Sequence, residues 1–338
     1  MTEPGQVAQV RRQVVEFAAR AGLPEARLGG LAVVVTELAA NLITHAGCGE
    51  ILASCFDDAD GSGVEILSVD RGPGMQDLAA CMRDGFSTAG SLGNGLGLIA
   101  RQSDRFRVYS RPGLGTVASA RLAIGVGASD PAPGVAVQCG AAVMPCPGET
   151  VCGDGWAWAR TAAGPTLFLA DGAGHGADAS EAAQEAVRMF LDHAGEDCEA
   201  LAARLHRALA PTCGAAIAIA RFDPAAGVVR YVGIGTISAA LVTGGKAGRM
   251  GSGQAAVRHM ISCDGTAGHG APRLREHVYP CGGGALIVLH SDGVASRWDL
   301  SAYPGIVSQH PSLLAGLLLR DFRRGGDDAS VVAMRVGA

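Results

Sequence analysis

Residues 86–100 read FSTAGSLGNGLGLIA, small and hydroxylated side chains giving way to an apolar, helix-like run. Glycines stand at Gly90, Gly93, Gly95 and Gly97. Glycine loses more backbone freedom on ordering than any other residue, so this density ahead of a helix needs a purpose. Two readings are open. One is a slack surface loop; the other is a loop whose amides, with the helix N-terminus behind them, close on a phosphate chain.

The bulk of the chain narrows the choice. At 338 residues two domains are expected, and 48% hydrophobic against 17% charged residues supplies ample core and excludes a disordered chain. A net charge of -5 offers no basic face, so neither nucleic acid nor a membrane surface is an expected partner. The opening MTEPGQVAQVRR has no apolar segment, and the greasiest runs, LAVVV and ALIVL, are too short to span a bilayer, which points to a cytoplasmic protein. The 10 cysteines include no C-x-x-C pair and read as reduced, small hydrophobes. Lys246, in GGKAG, is the only lysine. That excludes a P-loop and a eukaryotic-type protein kinase, both of which hold phosphates with a lysine in a fixed motif. A nucleotide here must be held by backbone amides, arginine and metal.

Turn-forming residues are densest at GVGASDPAPG, so 125–134 reads as a linker between a domain over 1–124 and another over 135–338. Before it, EARLGGLAVVVTELAANLITHAG has helical spacing and ends at Gly47, a suitable C-cap. The strand-like runs EILASCF and VEILSVD follow, then a helix near 96–103, then FRVYS and TVASARL. This is a helix-plus-antiparallel-sheet pattern. Beyond the linker the strands TLFLAD, AAIAIARF, GVVRYVGIG, ALIVLHSD and SVVAMRV alternate with helices near 177–194, 197–210 and 311–320, which fits sheets with helices on their outer faces.

Glu37 and Asn41 are four apart on the first long helix and share a face, with His45 extending the stripe. A carboxamide oxygen suits Mg²⁺ on a phosphate, and a nearby carboxylate suits a general base, although a solvent-facing polar stripe would look the same. Next comes VDRGPGM, a strand ending in Asp70 with Gly72 and Gly74 behind it. An aspartate there can accept a hydrogen bond from an exocyclic amine while glycines let a flat ring approach, although an ordinary turn needs no more. The order carries more weight than any single piece: E-x-x-x-N, D-x-G-x-G, the glycine-rich stretch, then GLGT at 113–116.

In that order and spacing residues 5–122 resemble the GHKL (Bergerat-fold) ATPases, and DGFSTAGSLGNGLGLI with DRFRVYSRPGLGT resembles the RsbT/RsbW-type serine kinases of bacterial partner switching. The resemblance implies an ATP site in which Asn41 holds Mg²⁺, Glu37 acts as base and Asp70 reads the adenine amine. It implies that Gly72 and Gly74 line the base, Gly93, Gly95 and Gly97 wrap the phosphates, and Thr116 supports Asp70. The opening stretch is then an ATP lid. No helical phosphoacceptor segment precedes it, so the acceptor is expected to be a serine or threonine of another protein.

In the second half Asp154 (VCGDGW), Asp171 (FLADGAGHG), Asp292 (IVLHSDGV) and Asp327 (GGDDASVV) recur beside glycines at strand ends. One D-G is a turn. Four carboxylates brought together repel and raise one another's pKa unless hard cations neutralise them, and two such cations can share a water for phosphoester cleavage. GET-x-CGD, DG-x-GHG, SDGV and GDD-x-SVV, spanning 136–336, resemble the metal-dependent PPM phosphatases of the SpoIIE/RsbX type. That resemblance implies two Mn²⁺ or Mg²⁺ ions, with Asp171 as the bridging ligand, the Gly172 carbonyl on one ion, and Asp154, Asp292 and Asp327 completing the pair. Asp328 stands where the family often has asparagine and takes a supporting role. His175 either positions substrate or donates a proton, or serves the turn structurally. The resemblance offers no arginine for gripping the phosphate.

The expected architecture is therefore α/β (α+β), an N-terminal Bergerat-type α/β sandwich joined to a C-terminal PPM-type αββα sandwich. The expected function is a Ser/Thr kinase and the opposing phosphatase in one chain, both acting on STAS-domain switch or anti-sigma-antagonist proteins of a sigma-factor pathway. The alternative is a phosphatase gated by a non-catalytic ATP-sensing or anti-sigma-type domain.

Overall fold

The computed structural model describes residues 1–82, 95–125, 137–243, 256–270 and 274–336. The expected linker 125–134 and the lysine at 246 fall almost wholly outside these residues, as does Gly93. The chain forms two compact units, Met1–Ala132 with Ser312–Arg320, and Pro133–Pro311 with Asp321–Ala338.

In the first unit, helices α1 (Gly5–Arg20), α2 (Glu25–Asn41), α3 (Leu78–Cys81) and α4 (Gly95–Gln102) accompany strands β1 (Glu50–Asp58), β2 (Gly61–Asp70), β3 (Arg105–Arg111) and β4 (Gly115–Ala123). The strands form one antiparallel sheet in the order β1-β2-β4-β3. Leu31, Val34, Val35 and Leu38 of α2 follow helical spacing and are all buried against Val64, Ile66, Ala118 and Ala120 of the sheet. Helix α2 runs on into a wider π turn, Leu42–Ala46, before Gly47 ends it at φ 77°. His45 is exposed on that turn and does not continue the α-helical stripe. Glu25–Ala46 spans 22 residues and is long and apolar enough to cross a membrane, contrary to the expectation of short apolar runs only. Leu31, Val34, Val35, Leu38 and Ala39 of this stretch are buried.

The second unit holds two five-stranded sheets. Its strands are β5 (Gln138–Met144), β6 (Asp154–Thr161), β7 (Gly164–Gly172), β8 (Ala215–Asp223), β9 (Val228–Ile234), β10 (Ser238–Thr243), β11 (Ala256–Met260), β12 (His277–Pro280), β13 (Ala285–His290) and β14 (Ala329–Val336). The orders are β11-β10-β13-β14-β5 and β12-β9-β8-β7-β6, antiparallel throughout. Their facing residues, among them Leu167, Leu169, Tyr231, Ile287, Leu289, Val332 and Met334, make one core. Helices α5 (Ala177–His193) and α6 (Cys198–Ala208) cover the outer face of the second sheet. Ala179, Ala182, Ala183 and Ala186 line α5 where it meets the sheet, and Phe190 stacks on Phe168 at 4.8 Å. Small residues let the helix approach β6 and β7 closely, and two of the four carboxylates, Asp154 and Asp171, stand at the ends of those strands, with Asp292 just after β13 and Asp327 just before β14. This is the mixed α/β, PPM-type layering that the sequence predicts.

Helix α7 (Pro311–Phe322) sits where the sequence expects a helix of the second domain. Its residues Ser312–Arg320 nevertheless pack within the first unit, where Gly316 lies against Leu67, Val69 and Val117. Ser312 bonds both Glu65 (2.9 Å) and Arg121 (3.2 Å) there.

Candidate functional site

In the first unit the N-terminus of α4 comes up against α2. A Cβ on Gly95 would lie 3.1 Å from Oε2 of Glu37 and 3.7 Å from Oδ1 of Asn41, so the two polar side chains of α2 and the start of the expected lid helix share one place. Gly97, two residues further on, is buried. Asp70 ends β2 with its Oδ1 accepting from the amides of Gly72 (2.8 Å) and Thr116 (3.2 Å). Thr116 is held in turn by Ser110, hydroxyl to hydroxyl at 2.9 Å. Burial raises the Asp70 pKa, and the two amides and the Arg320 guanidinium offset that only in part. Arg320 also donates to the Asp70 carbonyl at 2.8 Å.

The glycines around Asp70 are required by space. A Cβ on Gly72 would strike Ala46 at 2.7 Å, one on Gly74 the Arg111 carbonyl at 1.9 Å, and one on Gly115 the Asp70 carbonyl at 2.0 Å. The close-packed turn at Asp70 and the Glu37–Asn41–Gly95 junction are what a nucleotide held by main chain and metal would need.

In the second unit Asp154 opens β6 and Asp171 lies near the end of β7, paired across the ladder. Asp171, Asp292 and Asp327 line one cleft of about 220 Å³ together with Gly172 and Thr236, and Asp154 is not among its lining residues. Burial pushes the Asp171 carboxyl up to about 9, with Asp154, Asp292 and Asp327 raising it further and the Asp292 amide opposing. Burial likewise pushes Asp154 up to about 6, against a hydrogen bond from Ser291. Asp154 is 8% exposed; its Oδ2 accepts from Ser291 Oγ (2.8 Å), while its Oδ1 is buried without a hydrogen-bond partner among the described residues. A buried carboxylate oxygen without a donor, amid carboxylates raised first by burial and then by one another, belongs to a set of hard oxygen donors. Mg²⁺ and Mn²⁺ fit it. Gly172 can be nothing larger, because a Cβ there would lie 2.2 Å from the Ala179 carbonyl.

Residues 163–337 match the family model for Stage II sporulation protein E (SpoIIE), and residues 1–122 match that for the histidine kinase-like ATPase domain. The chain belongs to the SpoIIE family. It joins a SpoIIE domain to an ATPase domain that is 37% identical over 118 residues to serine/threonine-protein kinase RsbT of Bacillus subtilis (strain 168), covering 34% of this chain and 86% of RsbT. Among solved structures, one described as "The bacterial stressosome: a modular system that has been adapted to control secondary messenger signaling" is 24% identical with a TM-score of 0.52, covering 59% of this chain and 99% of the other. RsbX in complex with magnesium is 18% identical with a TM-score of 0.48, covering 59% of this chain and 95% of RsbX. The chain is an enzyme, with a metal-dependent protein phosphatase domain and a kinase-like domain of the RsbT type.

In the SpoIIE domain three residues take places that their spacing does not announce. Ser291, next to Asp292, holds Asp154 and also accepts from the Ser330 amide at 2.9 Å. Asp328 is 3% exposed and holds the Cys146 amide at 2.8 Å, so it supports the β5–β6 turn. His175 is not among the residues lining the Asp171 cleft; its Nδ1 meets Glu149 Oε1 at 2.8 Å. Glu149 is part of the GET-x-CGD motif, which gives no sign of that pairing. His290 is buried, its pKa is lowered by that burial, and its Nε2 accepts from Trp298 at 3.4 Å. It is a core residue.

Proposed function

We propose that the chain is a bifunctional switch enzyme, phosphorylating a serine or threonine of a STAS-domain partner protein with its first domain and removing that phosphate with its second. The reading rests on two dissimilar phosphate sites in one chain: Gly95 set against Glu37 and Asn41, and Asp171 ringed by Asp154, Asp292 and Asp327. RsbT is by name a serine/threonine kinase, and the stressosome likeness supports a partner-switching setting. Domain limits of 1–124 and 135–338 and a cytoplasmic location belong to the same proposal.

In the kinase half, Glu37 takes the proton of the incoming hydroxyl and Asn41 would hold Mg²⁺ on the nucleotide. Asp70 accepts from the adenine amine while the amides of Gly72 and Thr116 fix its carboxylate. Gly93, Gly95 and Gly97 give main-chain amides to the phosphates, and Gly74 leaves room for the base. In the phosphatase half, Asp171 would bridge two Mn²⁺ or Mg²⁺ ions, with Asp154, Asp292, Asp327 and the Gly172 carbonyl as the other ligands. Such a pair neutralises phosphoryl charge and activates a water. His175 gives a proton to the departing seryl oxygen.

The test uses the full chain with Asp171→Asn, γ-labelled ATP and a purified STAS-domain protein. Label on the STAS protein, lost when Glu37→Ala is added while ATP still binds, supports the reading. A phosphatase gated by a non-catalytic ATP domain gives ATP binding with no label at all.

A further inference from the structure

Glu149 lies in the turn between β5 and β6, its amide bonded to the Cys146 carbonyl at 3.0 Å. His175 lies in the turn between β7 and α5, four residues past Asp171. The two side chains meet at 2.8 Å, Nδ1 to Oε1. The glutamate is also lodged against Gly176, the N-cap of α5, where a Cβ would come within 3.1 Å of Oε2. Gly176 has no side chain to cap the helix, and an anionic carboxylate at the start of a 17-residue helix is favourably placed. Glu149 is thus held from three sides: by its own turn, by the imidazole and by the start of α5.

An ionised carboxylate can only accept, so the hydrogen between these two atoms belongs to Nδ1. That fixes the neutral ring of His175 as the Nδ1–H tautomer and leaves Nε2 as the atom free to exchange a proton. The pair is partly exposed, with the His175 side chain at 57% and that of Glu149 at 33%, and exposed ion pairs add little to stability. Its value therefore lies in orientation more than in stability.

We infer that Glu149 is a positioning residue of the phosphatase, holding His175 by Nδ1 so that Nε2 carries the proton handed to the leaving serine. This rests on the reading of the second domain as a phosphoserine phosphatase with His175 as its acid. In the step, the oxygen of a water bonds to phosphorus while the bond from phosphorus to serine Oγ breaks with its electron pair moving to Oγ. Oγ takes the proton from Nε2 of the imidazolium, leaving the Nδ1–H tautomer. The attacking water releases a proton to solvent, and one from solvent recharges the ring.

The experiment compares the full-length protein with E149A, E149Q, H175A and the E149A/H175A double variant. The ¹⁵N spectrum of the histidine rings reads the tautomer without any metal or substrate. Hydrolysis of a phosphoserine peptide, whose leaving group needs a proton, is set against p-nitrophenyl phosphate, whose leaving group does not. The wild type should show His175 as Nδ1–H, and E149A should move it toward Nε2–H, with E149Q intermediate because its amide can either accept or donate. In E149A kcat on the phosphopeptide should fall at least about tenfold, short of the roughly 100-fold or more that losing the acid itself costs, while kcat on p-nitrophenyl phosphate stays within about twofold. The double variant should be no slower than H175A. An unmoved tautomer in E149A overturns the inference, as does an equal loss on both substrates, which would mean that the β5–β6 turn had shifted. If E149A moves the tautomer but H175A spares the phosphopeptide, the pairing is real and His175 is not the acid. A wild type inactive on both substrates would instead sink the phosphatase reading while the tautomer is still read.

Discussion

Asp154 and Asp171 are register partners across the antiparallel ladder of β6 and β7, one carboxylate directly opposite another. Like charges in that relation are destabilising, and both groups are also largely buried, so each is pushed toward its neutral form. A fold that kept this pair only for stability would have replaced one of them. The strain is what a site for cations requires before they arrive.

The first prediction concerns pH in the metal-free protein. Asp171 is raised to about 9 and Asp154 to about 6, against an ordinary value of about 4 for an unfolded aspartate. Between those limits the folded state binds more protons than the unfolded, so stability falls as pH rises. The destabilisation is absent below about pH 4, grows through 6, and is complete above about 9. Thermal melts of chelator-treated protein from pH 5 to pH 9 should show a falling midpoint, and saturating Mn²⁺ should flatten it. Titration of Mn²⁺ near pH 7.5 in buffers of different ionisation enthalpy should report proton release, close to one per protein if Asp171 is the main source.

The second prediction follows from the same pair. Near pH 7.5 the metal-free wild type must protonate Asp171 in order to fold, and Asp171→Asn removes that cost while keeping shape, so the metal-free variant should melt above the wild type, by roughly 3–6 °C. The same change should abolish Mn²⁺-dependent hydrolysis of an aryl phosphate. A variant that is both less stable and inactive would mean that Asp171 is held by ordinary structural bonds.

The parts legible in the sequence are those that short segments encode. Asp70 with its glycines, and each of the four acidic turns, are strand-to-turn pieces whose geometry is local, and the order of such pieces was enough to pick out both domains. What was hidden depends on tertiary register. Ser291 reaches Asp154 only because the end of β13 comes to the start of β6 in the other sheet, and Glu149 reaches His175 only because two turns meet. A helix at 311–320 was expected from its apolar run, but nothing in LLAGLLLR says that Gly316 fits against Leu67 and Val117 of the first unit. The π turn after Asn41 is equally silent, since its residues read as ordinary helix.

The third prediction addresses the first unit's buried charges. Arg121 is 1% exposed at its side chain and bonds Asp58 (3.0 Å) and Glu65 (3.1 Å), with its guanidinium 4.4 Å from the Phe56 ring centroid. Removing one member of such a network strands its partners, at a cost of about 3–5 kcal/mol. Arg121→Leu should lower the urea midpoint accordingly. Adding Asp58→Asn and Glu65→Leu should recover a good part of the loss, because two of its carboxylate partners lose their charge as well and the third, Asp60 at 3.2 Å, keeps Arg107 at 2.7 Å. Recovery near zero would show that the packing of the arginine stem, and not its charge, holds the site.

The fourth prediction separates two glycines that a sequence reading treats alike. At Gly115 φ is +77° and a Cβ would meet the Asp70 carbonyl oxygen at 2.0 Å, a backbone atom that cannot yield. Gly115→Ala should therefore cost about 2 kcal/mol or more and loosen the turn that holds Asp70. At Gly95 the nearest atom is the tip of Glu37 at 3.1 Å, and a side-chain end can swing away. Gly95→Ala should leave the urea midpoint nearly unchanged, helped by alanine's better helix propensity, but it displaces the carboxylate proposed as the base. Phosphotransfer to a STAS-domain substrate should drop about 10–100-fold, up to the lower limit of the range for losing a general base because the base is displaced and not removed, while ATP affinity changes only a few-fold. The two variants measured side by side, one by unfolding and one by single-turnover transfer, distinguish a glycine required by the fold from one required by the reaction. Equal damage to stability in both would show that α4 is locked against α2 for structural reasons, and the Glu37–Gly95 approach would then carry no catalytic meaning.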